Sequence, residues 1–156
     1  MKKLSFIIAL ATIVMLCCQC TTSKEFRQAK KGAKAIPYVV LNNYYVRNDI
    51  DCSKRQRLIL DNEKDFNAFF GQAAIMGGLP TDINWKKQFV VAALLPETNR
   101  PTMVTPLEVK KSPGNIIFKY QVNRGTKTSY SLVPFAAIAI NRDENPQQLK
   151  VFFIEK

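Results

Sequence analysis

The chain has 156 residues, a net charge of +11, four cysteines and no histidine. The missing imidazoles exclude histidine-based triads, most zinc sites and the usual acid–base pair at neutral pH. The length excludes a multidomain protein: beyond a targeting segment, about 120 residues remain, one domain able to bury a core without metal or disulfides.

Residues 1–17 have the organisation of a signal peptide. Lys2 and Lys3 form a basic n-region and residues 4–16 an apolar run, nearer a secretory h-region than the about 20 residues of a membrane span. Cys17, Cys18 and Cys20 close it. A cysteine directly after such a run, with Thr21-Thr22-Ser23 following, resembles the lipobox of bacterial lipoproteins, where that cysteine receives a diacylglycerol and becomes the mature N-terminus. The resemblance implies lipid attachment at Cys18, since only Cys18 follows a small residue; Cys17 and Cys20 are the alternatives, and a plain cleaved signal with incidental cysteines is the competing reading. Cys20 and Cys52 then remain. They either form a disulfide contributing about 3 kcal/mol or stay as two unpaired thiols.

Residues 18–35 read as a basic, flexible tether. Lys24, Arg27, Lys30, Lys31 and Lys34 face only Glu25, so the segment can lie along anionic headgroups at up to about 1 kcal/mol per basic residue. No acidic run follows the lipidation site, which favours a lipid-anchored protein of the cell envelope, at the outer membrane and facing the periplasm. The net charge of +11 falls to about +9 once Lys2 and Lys3 are removed, which suits lipid, acidic glycan or an acidic protein partner, or serves solubility alone. Nucleic acid is not an expected partner outside the cytoplasm.

The domain occupies residues 36–156. Residues 36–41 and 44–46 are extended, interrupted by the turn-tolerant Asn42-Asn43, and form one bulged strand or a short hairpin. Asp49 and Asp51 sit in a polar loop without the further oxygen ligands and glycine of a calcium loop, so no metal site is expected. After a short strand at 57–60, Asn62 caps a helix, and Phe66, Phe69, Phe70 and Ala73 recur on one helical face. Gly77-Gly78 and Pro80 end it. Trp85, the only tryptophan, plugs the rim of the core.

The longest apolar run of the domain is Phe89-Val90-Val91-Ala92-Ala93-Leu94-Leu95, stopped by Pro96. Its length and its β-branched start predict a fully buried strand. Residues 103–109 return as a strand that Pro106 marks as edge or bulged. Ser112-Pro113-Gly114-Asn115 turns into a partner strand at 116–122. Residues 130–140 and 149–154 add further strands. The expected fold is α+β: a single small domain, a mainly antiparallel sheet with one amphipathic helix packed on it.

Several segments together resemble the PrcB-type C-terminal domain, found in lipoprotein-like subunits of surface protease complexes. Asp65-Phe66 matches its helix, Leu79-Pro80 with Ile83-Asn84-Trp85 its Pro and Asp-Phe segment, and Phe89-Val90-Val91-Ala92 its core strand. Arg100-Pro101-Thr102 matches its loop, Leu107-Glu108-Val109 its return strand, and Pro134-Phe135 its last motif. The match runs over residues 63–140 and departs at Met103-Val104-Thr105, where the family has Gly-Gly-Tyr.

No carboxylate pair stands out, and Lys127 with Ser129 or Ser131 reads as a solvated loop rather than a dyad, so the chain is not expected to be an enzyme and no cofactor is expected. The favoured function is a lipid-anchored interaction module binding an envelope protease, as subunit or inhibitor. Its contact residues would be Thr98, Arg100, Pro101 and Thr102 in one loop with Arg124 and Lys127 in another. The alternative is a small-ligand or glycan-binding lipoprotein, with Trp85, Tyr44 and Tyr45 as a stacking platform and Arg100 or Arg124 as the anion contact.

Overall fold

A computed structural model describes residues 18–73, 78–143 and 145–156, with side chains from residue 23 onward. The signal segment 1–17, with Cys17, and the side chains of Cys18 and Cys20 lie outside the described residues. No described helix is long and apolar enough to cross a membrane.

The long apolar run forms β6 (Gln88–Leu94), and its residues from Phe89 to Leu94 are each at most 1% exposed. β6 lies inside a four-stranded antiparallel sheet in the order β2-β9-β6-β4, with β2 (Val39–Val40), β4 (Gln56–Leu60) and β9 (Phe135–Asn141). A second four-stranded sheet runs β1-β7-β8-β10, with β1 (Lys34–Ala35), β7 (Thr102–Ser112), β8 (Asn115–Arg124) and β10 (Lys150–Glu155). β10 lies parallel to β8 and the other pairs are antiparallel.

The two sheets face each other. Phe89, Val91 and Ala93 of β6 share one buried cluster with Val109, Ile116, Phe118, Tyr120 and Ile138. The alternate residues Val90, Ala92 and Leu94 join Leu41, Val46, Leu60, Phe66 and Phe70 on the opposite face. A strand covered on both faces has no solvated side, which is why its apolar residues are consecutive rather than alternating. Ala92 opposite Ala137 and Ala93 opposite Ala136 keep the layers close.

One seam between the sheets is closed by the chain itself. The Ile36 amide donates to the Val109 carbonyl at 3.0 Å, and Val39 and Val40 then pair with Ala139 and Ile138 of the other sheet. The other seam is closed by side chains: the Arg57 guanidinium lies 5.7 Å from the Phe153 ring centre and Arg55 pairs with Glu155. The β7–β8 hairpin turns at Pro113-Gly114, with Gly114 at φ 71°. The register slips between Pro106 and Glu108, so the strand bulges where proline cannot donate.

Three expectations change. The single sheet is two four-stranded sheets with a small two-stranded ladder, β3 (Tyr44–Val46) with β5 (Phe70–Gln72). The segment expected as a flexible tether is helical over α1 (Cys18–Lys30). Its Phe26 ring lies 5.5 Å from Phe152, Ala29 is 2% exposed, and the Ser112 hydroxyl donates to the Ala29 carbonyl at 2.9 Å. Two apolar residues one turn apart, which composition alone treats as incidental, find an uncovered sheet face.

The third change concerns the one amphipathic helix expected on the sheet: two α-helices are described, and the one at this place, α2 (Glu63–Phe69), buries only Phe66. Asn62 caps it as expected, its side-chain oxygen accepting the Asp65 amide at 2.9 Å. The helix then stops, and Phe70 is already extended at φ −120°, ψ 142°. Phe66 and Phe70 still stack at 4.8 Å between ring centres. Their burial is satisfied with either backbone, and the free edge at Val46 selects the strand. Gly77, expected to end the helix, lies outside the described residues.

Candidate functional site

The loops at residues 96–102 and 124–132 come together at one end of the sandwich and are zipped to each other. Thr98 and Leu132 exchange amide-to-carbonyl bonds at 3.0 and 2.9 Å; the Gly125 amide donates to the Pro101 carbonyl at 2.7 Å, and the Thr128 amide to the Asn99 carbonyl at 2.7 Å. The Thr128 hydroxyl donates toward the carbonyls of Asn99 and Tyr130, each at 3.0 Å. Within the first loop, the Thr102 hydroxyl donates to the Arg100 carbonyl at 2.8 Å and the Thr98 hydroxyl accepts the Arg100 amide at 3.2 Å.

These bonds divide the expected contact residues by role. Thr98, Thr102 and Pro101 are partly buried and hold the loops in shape, whereas Arg100, Arg124 and Lys127 are exposed around them. Arg100 leans toward the Gly125 carbonyl at 3.5 Å, and Arg124 lies 3.5 Å from the Glu155 carboxylate. Two residues of the same end escaped the sequence reading: Met103 is 68% exposed and Tyr130 57%. Met and Tyr beside Arg match the composition of interface centres. Local pattern hides them, because which residues of a strand and of a loop point outward is decided only after folding.

The inner side of the second loop is one wall of a cleft of about 460 Å³, lined by Ser131, Leu132, Val133 and Phe135 opposite β3 and the turn after it, with Cys52 and Glu97 at one end. Cys52 is 5% exposed and has no disulfide partner among the described residues. Burial pushes its pKa up from the ordinary 9.0, with Asp51 and Glu97 adding to the rise. Its candidate disulfide partner Cys20 has no described side chain.

Of the expected aromatic platform, Tyr44 and Trp85 come together around Phe66 and line one pocket of about 210 Å³, and Tyr45 does not join them. The Trp85 ring lies 5.5 Å from Phe66, and Tyr44 meets Phe66 edge-on at 5.1 Å while its hydroxyl donates to the Thr81 carbonyl at 2.8 Å. Burial, then Asp82 and Glu63, push the Tyr44 phenol above its ordinary value. Tyr45 stands apart at 48% exposure. Its ring covers Gly71, where a Cβ would fall 2.4 Å from it, so a side chain there would push the Tyr45 ring aside. Asp49 is held below the usual carboxylate range by its bonds to Arg47, and Asp51 by accepting the Ser53 amide at 2.9 Å. Both acids are thus engaged in shaping their own loop.

Arg142 is a polar centre of another kind. Its guanidinium donates to the Asp61 carbonyl at 2.8 Å and the Gln88 carbonyl at 3.2 Å, and pairs with the Asp61 carboxylate at 2.5 Å. It ties the end of β9 to the ends of β4 and β6, which is a structural clamp rather than a site.

The chain matches no protein-family model, no curated protein and no solved structure. The likeness to PrcB-type domains therefore stands on the motifs alone.

Proposed function

We propose that this chain is a lipid-anchored interaction module of a bacterial envelope that docks a protein partner, an envelope protease, through the zipped loop end, as a subunit or an inhibitor of it. The observation that carries the reading is that Arg100, Lys127, Met103 and Tyr130 are exposed around loops held to each other by main-chain bonds. A loop already fixed loses little conformational entropy on binding, so its contacts convert to affinity. Exposed arginine and lysine steer an acidic surface toward it and make the association salt-dependent. The lipid at Cys18 would hold this end within reach of partners in the same envelope.

The test is affinity capture from an envelope extract with the full lipidated chain, comparing it with an Arg100→Glu, Lys127→Glu variant at low and moderate salt. Retention of one protease by the unaltered chain alone supports the reading, and an activity assay on that protease then separates subunit from inhibitor. Equal retention by both chains, or none by either, overturns it.

A further inference from the structure

The cleft beside the loop end has the form of a gap in a sheet. β2 runs antiparallel to β9 and pairs with it at Ala139 and Ile138; the Leu41 amide makes the last bond, to the Ala137 carbonyl at 2.9 Å. At Asn43, with φ 63°, the chain turns away into β3 and pairs with β5 instead. From there on, β9 and its upstream extension pair with no strand on that side among the described residues.

The direction of the main-chain groups follows from the bonds that are made. The Pro134 carbonyl accepts the Leu95 amide on the β6 side, and Leu132 bonds to Thr98 on that same side. The Ala137 carbonyl faces β2. Along a strand these directions alternate residue by residue, so the amides and carbonyls of Val133 and Phe135 face the open side. Val133 makes no backbone hydrogen bond among the described residues. The opposite wall is also a strand edge: the Asn43 carbonyl and Arg47 amide bond toward β5, which leaves the main-chain groups of Tyr44 and Val46 directed away from it. Both edges line the one cleft of about 460 Å³.

Unpaired strand edges are satisfied by another extended backbone. The charge at this place narrows which one. In a chain of net charge +11, the cleft lining carries one cation and one anion: Arg47 is paired with Asp49 at 3.1 Å, while Glu97 has no ion-pair partner among the described residues. We propose that the cleft takes an extended segment of a partner protein, laid antiparallel beside Val133 and Phe135 in the line β2 vacates, with a lysine or arginine of the segment meeting Glu97. This names the recognition mode of the protein-binding reading given above and rests on it, but uses different residues from the loop end.

The experiment is selection of the full chain, in detergent, against a displayed library of random hexapeptides, followed by amide hydrogen exchange with the selected peptides. Supporting results are peptides carrying Lys or Arg that slow exchange at Val133, Phe135, Tyr44 and Val46, and that lose binding when alternate peptide nitrogens are methylated. Glu97→Arg should weaken them about tenfold, and Glu108→Arg, the same charge change on β7, should not. An empty selection, or protection at Arg100, Lys127 and Tyr130 instead of the cleft, overturns the proposal. Cleft-binding peptides together with an empty envelope capture would instead leave this inference standing and remove the protease reading.

Discussion

The Gly125 amide donates to the Pro101 carbonyl at 2.7 Å, and a Cβ on Gly125 would come within 3.2 Å of that same oxygen. The two loops therefore meet at a distance that a side chain would spread. Thr128 locks the same junction with its hydroxyl as well as its amide. Thr128→Val keeps the shape and removes the hydroxyl bonds, at an expected cost of about 1 kcal/mol in urea unfolding. Amide exchange at Gly125 and Thr128 should accelerate at the same time; unchanged exchange would mean that the hydroxyl does not hold the loops.

The docking of α1 rests on Phe26 and Ala29. Phe26→Ser should release the helix at a cost of about 1–2 kcal/mol, because the ring is only partly buried. Limited trypsin digestion reads this directly: cleavage at Lys24, Arg27 and Lys30 should become several-fold faster while the rest of the domain stays intact. Equal cleavage rates would return this segment to the flexible tether expected from composition.

Arg142 donates to two carbonyls and ion-pairs with a carboxylate through one planar group. Arg142→Ala should destabilise by about 2–3 kcal/mol, since those acceptors lose a charged donor. Arg142→Lys should recover little of this, because an ammonium cannot reach the fork of acceptors together. Full recovery by lysine in a denaturation curve would show that charge, not geometry, is what the clamp needs.

The Tyr120 hydroxyl is buried and has no hydrogen-bond partner among the described residues, while its ring packs 5.5 Å from Phe118 in the core between the sheets. Removing an unsatisfied buried donor relieves its desolvation, so Tyr120→Phe should raise stability by about 1 kcal/mol. A loss of stability on this substitution would reveal a partner for the hydroxyl.

Cys52, Tyr44 and Tyr120 deprotonate later in the folded chain than in the unfolded one: Cys52 above its ordinary 9.0 and the two tyrosines above 10.0, each shifted mainly by burial. Between the two pKa values of each group the folded state binds more protons than the unfolded state, so stability falls as pH rises. The midpoint of urea unfolding should therefore be level between about pH 5 and pH 9 and decline above that. Tyr44→Phe should flatten part of that decline. The Cys52 thiol should react with a thiol reagent at pH 8 only at the rate of local opening, and fully in denaturant.

Much of the fold could be read from local pattern. A run of apolar residues longer than any one-sided strand needs has only one low-energy place, between two covered faces, and β6 occupies it. The Asn62 cap, the Pro106 irregularity and the turn at Pro113-Gly114 were legible for the same kind of reason: each depends on backbone chemistry within a few residues. Where α2 ends was not legible, because Phe70 faces the same buried cluster whether helical or extended. Only a strand edge brought from Tyr44–Val46 decides between them.

The loop residues were found as a list and not as a site. Their sequence shows charge, proline and threonine, whereas the division into staples such as Thr98 and Thr128 and exposed groups such as Arg100 and Lys127 depends on bonds between segments about thirty residues apart. What the sequence determined by itself is whatever a few neighbouring residues decide: the signal-like start, the buried strand, the caps and turns, and the absence of imidazole chemistry. The tertiary structure alone decided that residues 18–30 are helical, that two sheets form rather than one, and that a cleft of about 460 Å³ lies beside Val133 and Phe135 where the chain departs at Asn43. The physical reason is the range of the interactions. Backbone preferences act over a turn of chain, but which edges and faces stay uncovered is settled only when distant segments compete to cover them.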